Sequence, residues 1–246
     1  MTSLVIERRK TKRGWVLLAV STMLAVLNVV NGATNYLRNI DSFQEQGVTW
    51  LAVWGQGGLL WAILFLPFLI TIRAASLTRM EHEQGNWRRL ASYGAIAHVY
   101  RGKFALLFGF VLYCQAVFTL ATLLASSALG FSLGMNDVVA MLCWGLLGTI
   151  GGITVAAIQL VVGIIVRSYA TTVAIGLIAS VGSLMATLAS GVLEAIYPYA
   201  QAGVGMRVRA LEWPSMPASA GFLLWNVTLI VAAFTIGRMV LARKEY

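Results

Sequence analysis

Charged side chains gather in clusters along this chain, and six long stretches between the clusters carry none. They are residues 14–37, 47–72, 104–136, 138–166, 168–193 and 213–237. About 20 apolar residues of helix cross about 30 Å of hydrocarbon, so each stretch is long enough to span a membrane. The apolar runs are continuous, whereas the strands of a membrane barrel alternate, so the pattern predicts helices. The third and fourth stretches exceed one crossing; Gly130, Gly134 and Asn136 mark a turn between them, just ahead of Asp137. The chain is predicted to be one all-α polytopic membrane domain, residues 1–246, with six transmembrane helices.

Composition agrees, because 59% hydrophobic and 11% charged residues lie far from the balance of a soluble domain. Charge then orients the spans, since Lys and Arg concentrate in cytoplasmic loops. With both termini cytoplasmic, that side receives Arg8, Arg9, Lys10, Lys12 and Arg13, then Arg73, Arg79, Arg88, Arg89, Arg101 and Lys103, then Arg167, Arg238, Arg243 and Lys244. Only Arg38, Arg207 and Arg209 of the 18 basic residues fall outside. The net charge of +9 therefore reports topology and contact with anionic lipid rather than nucleic acid. A basic start before an apolar run is also the pattern of a cleaved signal, including a twin-arginine one at Arg8 and Arg9. Against that, the run from Trp15 is long, contains Asn28 and Asn31, and ends without a small-residue cleavage site. Cys114 and Cys143 fall inside spans, where a thiol is a small apolar group; they suit neither a metal site nor a disulfide.

No ionisable group lies well inside any span, which argues against ion-coupled carriers and proton relays. The interior polar groups are the amides Asn28, Asn31, Gln56, Gln115, Gln159 and Asn226. Each is a candidate for lining a translocation path, or for a helix-to-helix hydrogen bond. Gly148, Gly152 and Ala156 recur every four residues and predict a close helix pair, at a dimer seam or within the chain. Glu81-His82-Glu83 with the distant His98 lacks the spacing of a zinc protease, and Gly102-Lys103 is followed by Phe104 rather than the Ser or Thr of a phosphate loop. No enzyme activity is expected of this chain, and any ATP that drives it binds elsewhere.

Residues 77–103, LTRMEHEQGNWRRLASYGAIAHVYRGK, hold most of the charge between the outer clusters. Leu77, Met80, Gln84, Trp87 and Ala91 recur at helical spacing, so the second span is expected to continue beyond the membrane. Gly85-Asn86 should break it and cap a second short helix from Trp87. Tyr93-Gly94 should bend the chain again, ahead of a short helix over 95–100 and a break at Gly102. The expected product is a bent cytoplasmic finger with exposed Trp87 and Tyr93 beside Arg88 and Arg89, residue types that dominate docking surfaces.

Glu81-x-x-x-Gly85-Asn86-Trp87-Arg88-x-Leu90, followed by Lys103 at the head of the third span, resembles the cytoplasmic loop of ABC-2 type permeases. Trp and a basic residue after the Gly-Asn pair make it similar to the small permeases of lantibiotic self-protection (immunity) transporters. Asn86 stands where that pattern commonly has Thr, and Gly94 where it has Pro. The resemblance implies that the loop 73–103 includes a coupling helix seated in an ABC ATPase, with Glu81, Glu83, Gly85, Asn86, Trp87, Arg88, Leu90 and Tyr93 at the contact. It implies that ATP and Mg belong to that subunit and that this chain binds no cofactor or metal. It further implies a second permease chain, identical or paralogous, and a basic interfacial segment over 1–13 on the inner surface of a bacterial cytoplasmic membrane. Residues 194–217 correspond in position to the family's re-entrant helices, or form an ordinary outer loop. The substrate implied is a membrane-active antimicrobial peptide or similar amphiphile, exported. The alternative is a substrate-capture membrane subunit of a vitamin or metal importer, which also has six helices but short cytoplasmic loops.

Overall fold

The computed structural model describes residues 14–45, 47, 50–83 and 86–243; the interfacial segment predicted over 1–13 lies outside the described residues. The chain runs α1 (Gly14–Arg38), α2 (Ile40–Glu45), α3 (Trp50–Leu60), a π-helical turn (Trp61–Phe65), α4 (Leu66–Glu83), α5 (Asn86–Ser92) and α6 (Ile96–Ala128). It continues through α7 (Met135–Ile165), α8 (Tyr169–Ala189), α9 (Gly191–Ile196), a 3-10 turn (Pro198–Ala200), α10 (Gln201–Met206) and α11 (Met216–Arg243). No strand occurs among the described residues. Six helices are long and apolar enough to cross a membrane: α1, the continuous Trp50–Glu83, α6, α7, α8 and α11. In lipid every backbone N–H and C=O needs an internal partner, and helices supply it within one segment.

The ends of the bundle are marked by contacts. Gly14 lies against the Arg73 guanidinium, Arg79 sits 5.6 Å above the Tyr169 ring, and Gly237 abuts the Tyr100 hydroxyl. These gather the start of α1, the end of α4, the starts of α6 and α8, and the end of α11 on one face, called here the terminal face. At the far face Tyr36 meets Phe131 edge-on at 5.0 Å, and Trp144 meets Trp213 at 6.1 Å. The 34 residues of α3 through α4 run about 51 Å, far more than about 30 Å of hydrocarbon, so this helix projects from the terminal face as the sequence predicts. Its π turn ends where the Leu66 N–H bonds the Trp61 carbonyl, immediately before Pro67, which has no N–H of its own to continue the ladder.

The turn expected between the third and fourth spans is present. Gly130 adopts φ +78°, and Asp137 Oδ2 accepts from the Gly134 N–H at 2.8 Å to start α7. Two boundaries differ from expectation. The third span begins at Ile96 rather than after Gly102, because both Gly102 and Lys103 are buried within one continuous helix. The fifth ends at Ala189, because Ser190 takes an extended conformation and its Oγ caps α9 through the Leu193 N–H at 3.1 Å.

Helix α7 is the hub: 72% of its apolar window is buried, against 17% for α11. Its small residues explain this. Gly151 lies against the backbone of Gln201, and the Leu147 carbonyl lies against Gly205, so α7 and α10 meet backbone to backbone. A Cβ at Gly152 would come within 2.7 Å of Val111 Cγ1 on α6, Gly148 faces Met206, and Ala156 is fully buried. The small-residue ridge thus makes close contacts inside one chain, where Gly148, Gly152 and Ala156 are all buried.

Residues 190–211 leave the far face, turn into the bundle and return. The Tyr197 hydroxyl donates to the Ala179 carbonyl at 3.0 Å, halfway along α8, and Arg209 is back at the far end of α8, donating to the Thr187 carbonyl. The Tyr199 hydroxyl bonds Gln159 Oε1, and Gln159 Nε2 donates to the Thr172 carbonyl at 3.0 Å. Asn226 on α11 completes the tether: its Nδ2 donates to Gln201 Oε1 at 3.0 Å, and its Oδ1 accepts from Thr154 Oγ1 at 2.6 Å.

Candidate functional site

The charged segment on the terminal face forms a finger of three pieces: the end of α4, the short α5, and the start of α6. Its turns follow local chemistry. Gly94 adopts φ +62°, and the Ala95 N–H bonds the Leu90 carbonyl at 2.9 Å, six residues back to one, as in a Schellman stop. Asn86 begins α5 as a helical residue and does not stand outside it as a cap. Its Nδ2 reaches the Met80 carbonyl at 3.3 Å, and its Oδ1 accepts from Arg89 at 2.8 Å.

Beneath the finger lies a buried ion pair. Lys103 Nζ sits 3.0 Å from Glu81 Oε1 and donates to the Leu77 carbonyl at 2.7 Å; the two side chains are 1% and 0% exposed. Charges this deep are tolerated only when paired and hydrogen-bonded, and removing one partner leaves the other stranded. The pair joins α4 to α6 across 22 residues of sequence. Glu81, expected at a docking contact, is therefore internal.

A second brace runs from α5 to the hub. Trp87, expected to be exposed, is 4% exposed; its ring meets the His82 ring edge-on at 6.1 Å. His82 Nε2 bonds the Gly163 carbonyl of α7 at 2.9 Å, and Gly163 in turn packs tightly on Thr78. Trp87 is buried because α5 lies down on the helix ends and does not stand away from them. The outward face of the finger is then Arg89, Ser92, Tyr93 at 78% exposure, His98 and Arg101, with Arg79 and Glu83 paired at 2.5 Å alongside and Leu90 half-buried. Gly85 and the side chain of Arg88 lie outside the described residues.

The arrangement is a braced platform. It presents an aromatic ring and two arginines outward, and it connects inward to α4, α6 and α7. Among the described residues no three His, Cys, Asp or Glu side chains gather as metal ligands. Residues 3–183 match the family described as ABC-2 family transporter protein, covering most of the chain. The chain belongs to the ABC-2 transporter family. No curated protein and no solved structure matches it.

The permease is thus a multi-pass cell-membrane subunit of an ABC transporter, and ATP hydrolysis falls to a separate ATPase partner. Its finger lies within the matched residues; α9, α10 and α11 lie beyond them. The six amides of the permease have these surroundings. Gln159 and Asn226 hold the inturned segment, and Asn28 bonds the Leu24 carbonyl of its own helix at 2.8 Å. Gln56 accepts from Asn35 at 3.0 Å on an exposed face, Asn31 is exposed, and Gln115 is buried beside Gly148. Sequence reasoning missed the partnership of Lys103 with Glu81, the part of His82, and exposed Arg101. The motif had already marked Glu81 and Lys103, and opposite charges at two helix ends were the available signal.

Proposed function

We propose that this permease exports a membrane-active antimicrobial peptide, in the manner of lantibiotic self-protection, with its terminal face in the cytoplasm. In this reading α5 seats in a groove of the ATPase, which binds ATP and Mg, and a second permease chain, identical or paralogous, completes the pore. The observation that carries it is the braced finger: an exposed Tyr93 with Arg89 and Arg101 stands on a buried ion pair and on Trp87. A docking element that transmits force needs that stiffness, and Tyr and Arg are the residues that anchor interfaces. The orientation is supported by the gathering of basic residues on the terminal face. The substrate is supported by the spans themselves, whose interior offers apolar and amide surface and no ionised pocket, as suits a large amphiphile already in the bilayer.

The test is to express the permease with its ATPase in cells sensitive to such a peptide, and to recover peptide from washed cells. Active ATPase should lower the cell-bound peptide relative to a hydrolysis-dead ATPase, and tolerance should rise only when the permease is present. Equal peptide in both would remove export. A vitamin or metal ion copurifying with the chain would indicate the importer subunit instead.

A further inference from the structure

We propose that the permease holds an anionic phospholipid of the far-face leaflet in a cavity between α7, the inturned segment and α11, with Arg207 on the phosphate. The cavity is about 500 Å³, lined by Leu147, Ile196, Val204, Phe222, Trp225 and Arg207 among others. That is the size of a small-molecule site, and among the described residues of its wall Arg207 carries the charge. The Trp225 indole N–H is already spent on the Ile196 carbonyl at 3.2 Å, so its ring presents only apolar surface.

Depth selects the class of ligand. Leu147 lies about 18 Å along α7 from Met135, at the level of acyl chains, whereas Pro214 and Ala218 at the other end of the cavity flank the start of α11 on the far face. Arg207 stands near that rim, its Nε donating to the Glu212 carbonyl at 3.1 Å. No bond of its terminal amino groups to a described residue accompanies it, and a guanidinium fork matches two oxygens of a phosphate. Glu194, whose charge also acts on Arg207, is bonded to Arg209 at 3.4 Å, and burial pushes its carboxyl above the usual range against the pull of both arginines.

The backbone is bent to hold this geometry. Arg207 has φ +56° and Leu211 φ +39°, left-handed conformations that a residue with a Cβ adopts only under strain, and they bracket the turn that presents the guanidinium. A free anion would have no use for the apolar floor, and an uncharged lipid none for the arginine.

The full chain, purified in detergent and delipidated, is to be loaded with phosphatidylglycerol or phosphatidylcholine and the retained lipid counted by native mass spectrometry. Phosphatidylglycerol should be retained preferentially. Arg207→Gln should lower its retention about tenfold and that of phosphatidylcholine, whose phosphate is neutralised by its own choline, by much less, while Arg207→Lys, which keeps the charge but loses the fork, falls between. Val204→Trp and Gly221→Leu provide independent variants that enlarge side chains in the cavity wall, and at Gly221 a Cβ meets nothing within 4 Å. They too should lower retention. Equal retention of both lipids by the wild-type chain, unchanged retention in Val204→Trp and Gly221→Leu, or displacement by inorganic phosphate would each overturn the proposal.

Discussion

The Glu81–Lys103 pair is a buried charge pair, and among the described residues no other Asp, Glu, Lys or Arg is buried; its consequence is visible in substitution. Glu81→Ala or Lys103→Ala leaves one uncompensated buried charge and should each cost about 3–5 kcal/mol. Converting both to Met replaces the pair with apolar groups of similar length and should recover most of the loss, read as the thermal unfolding midpoint in detergent. A double variant as unstable as the sum of the singles would mean that the two residues do not interact. Neither partner announces this role in the sequence. Glu81 reads there as a surface contact, because a separation of 22 residues through two helix breaks leaves the distance between the side chains undetermined.

As an element, α5 has an inner face and an outer one, and they should respond differently. Trp87→Ala opens a cavity under the helix and should cost about 3–5 kcal/mol of stability. Tyr93→Ala touches only the outer face and should leave the unfolding midpoint in place, Arg89→Ala also removes the bond to Asn86 and should lower it slightly, and each should weaken ATPase association on the order of 1–3 kcal/mol, measured by titration of purified partners. Unaltered association in both would remove α5 from the ATPase interface. The existence of α5 and the stop at Gly94 were legible, since glycine and a short polar run punctuate the chain. Which side of a seven-residue helix is buried was not, because two turns carry too little periodicity to define a face. The inturned segment was expected only through the resemblance, over 194–217 and beside the alternative of an outer loop: residues 191–206 are nearly as apolar as the spans on either side, and hydropathy reports burial in lipid without reporting where the chain turns.

At the scale of the whole molecule, the six crossings were legible because hydrocarbon thickness sets a length that continuous apolar runs either meet or miss. Orientation is tested directly: Ser42, Ser92 and Ser215 are all exposed, so cysteines placed there differ only in side. Those at 42 and 215 should react with an impermeant thiol reagent in intact cells, and that at 92 only after lysis. Labelling at 92 in intact cells would invert the topology. The last span has a consequence of its own for synthesis. The inturned segment enters beside α7 and α8, which are made before it, but Gln201 Oε1 meets Asn226 only once α11 has emerged. A chain interrupted before α11 therefore keeps Gln201 Nε2 on the Ala195 and Tyr197 carbonyls but leaves its Oε1 without the Asn226 amide, and in lipid an acceptor without a donor is costly.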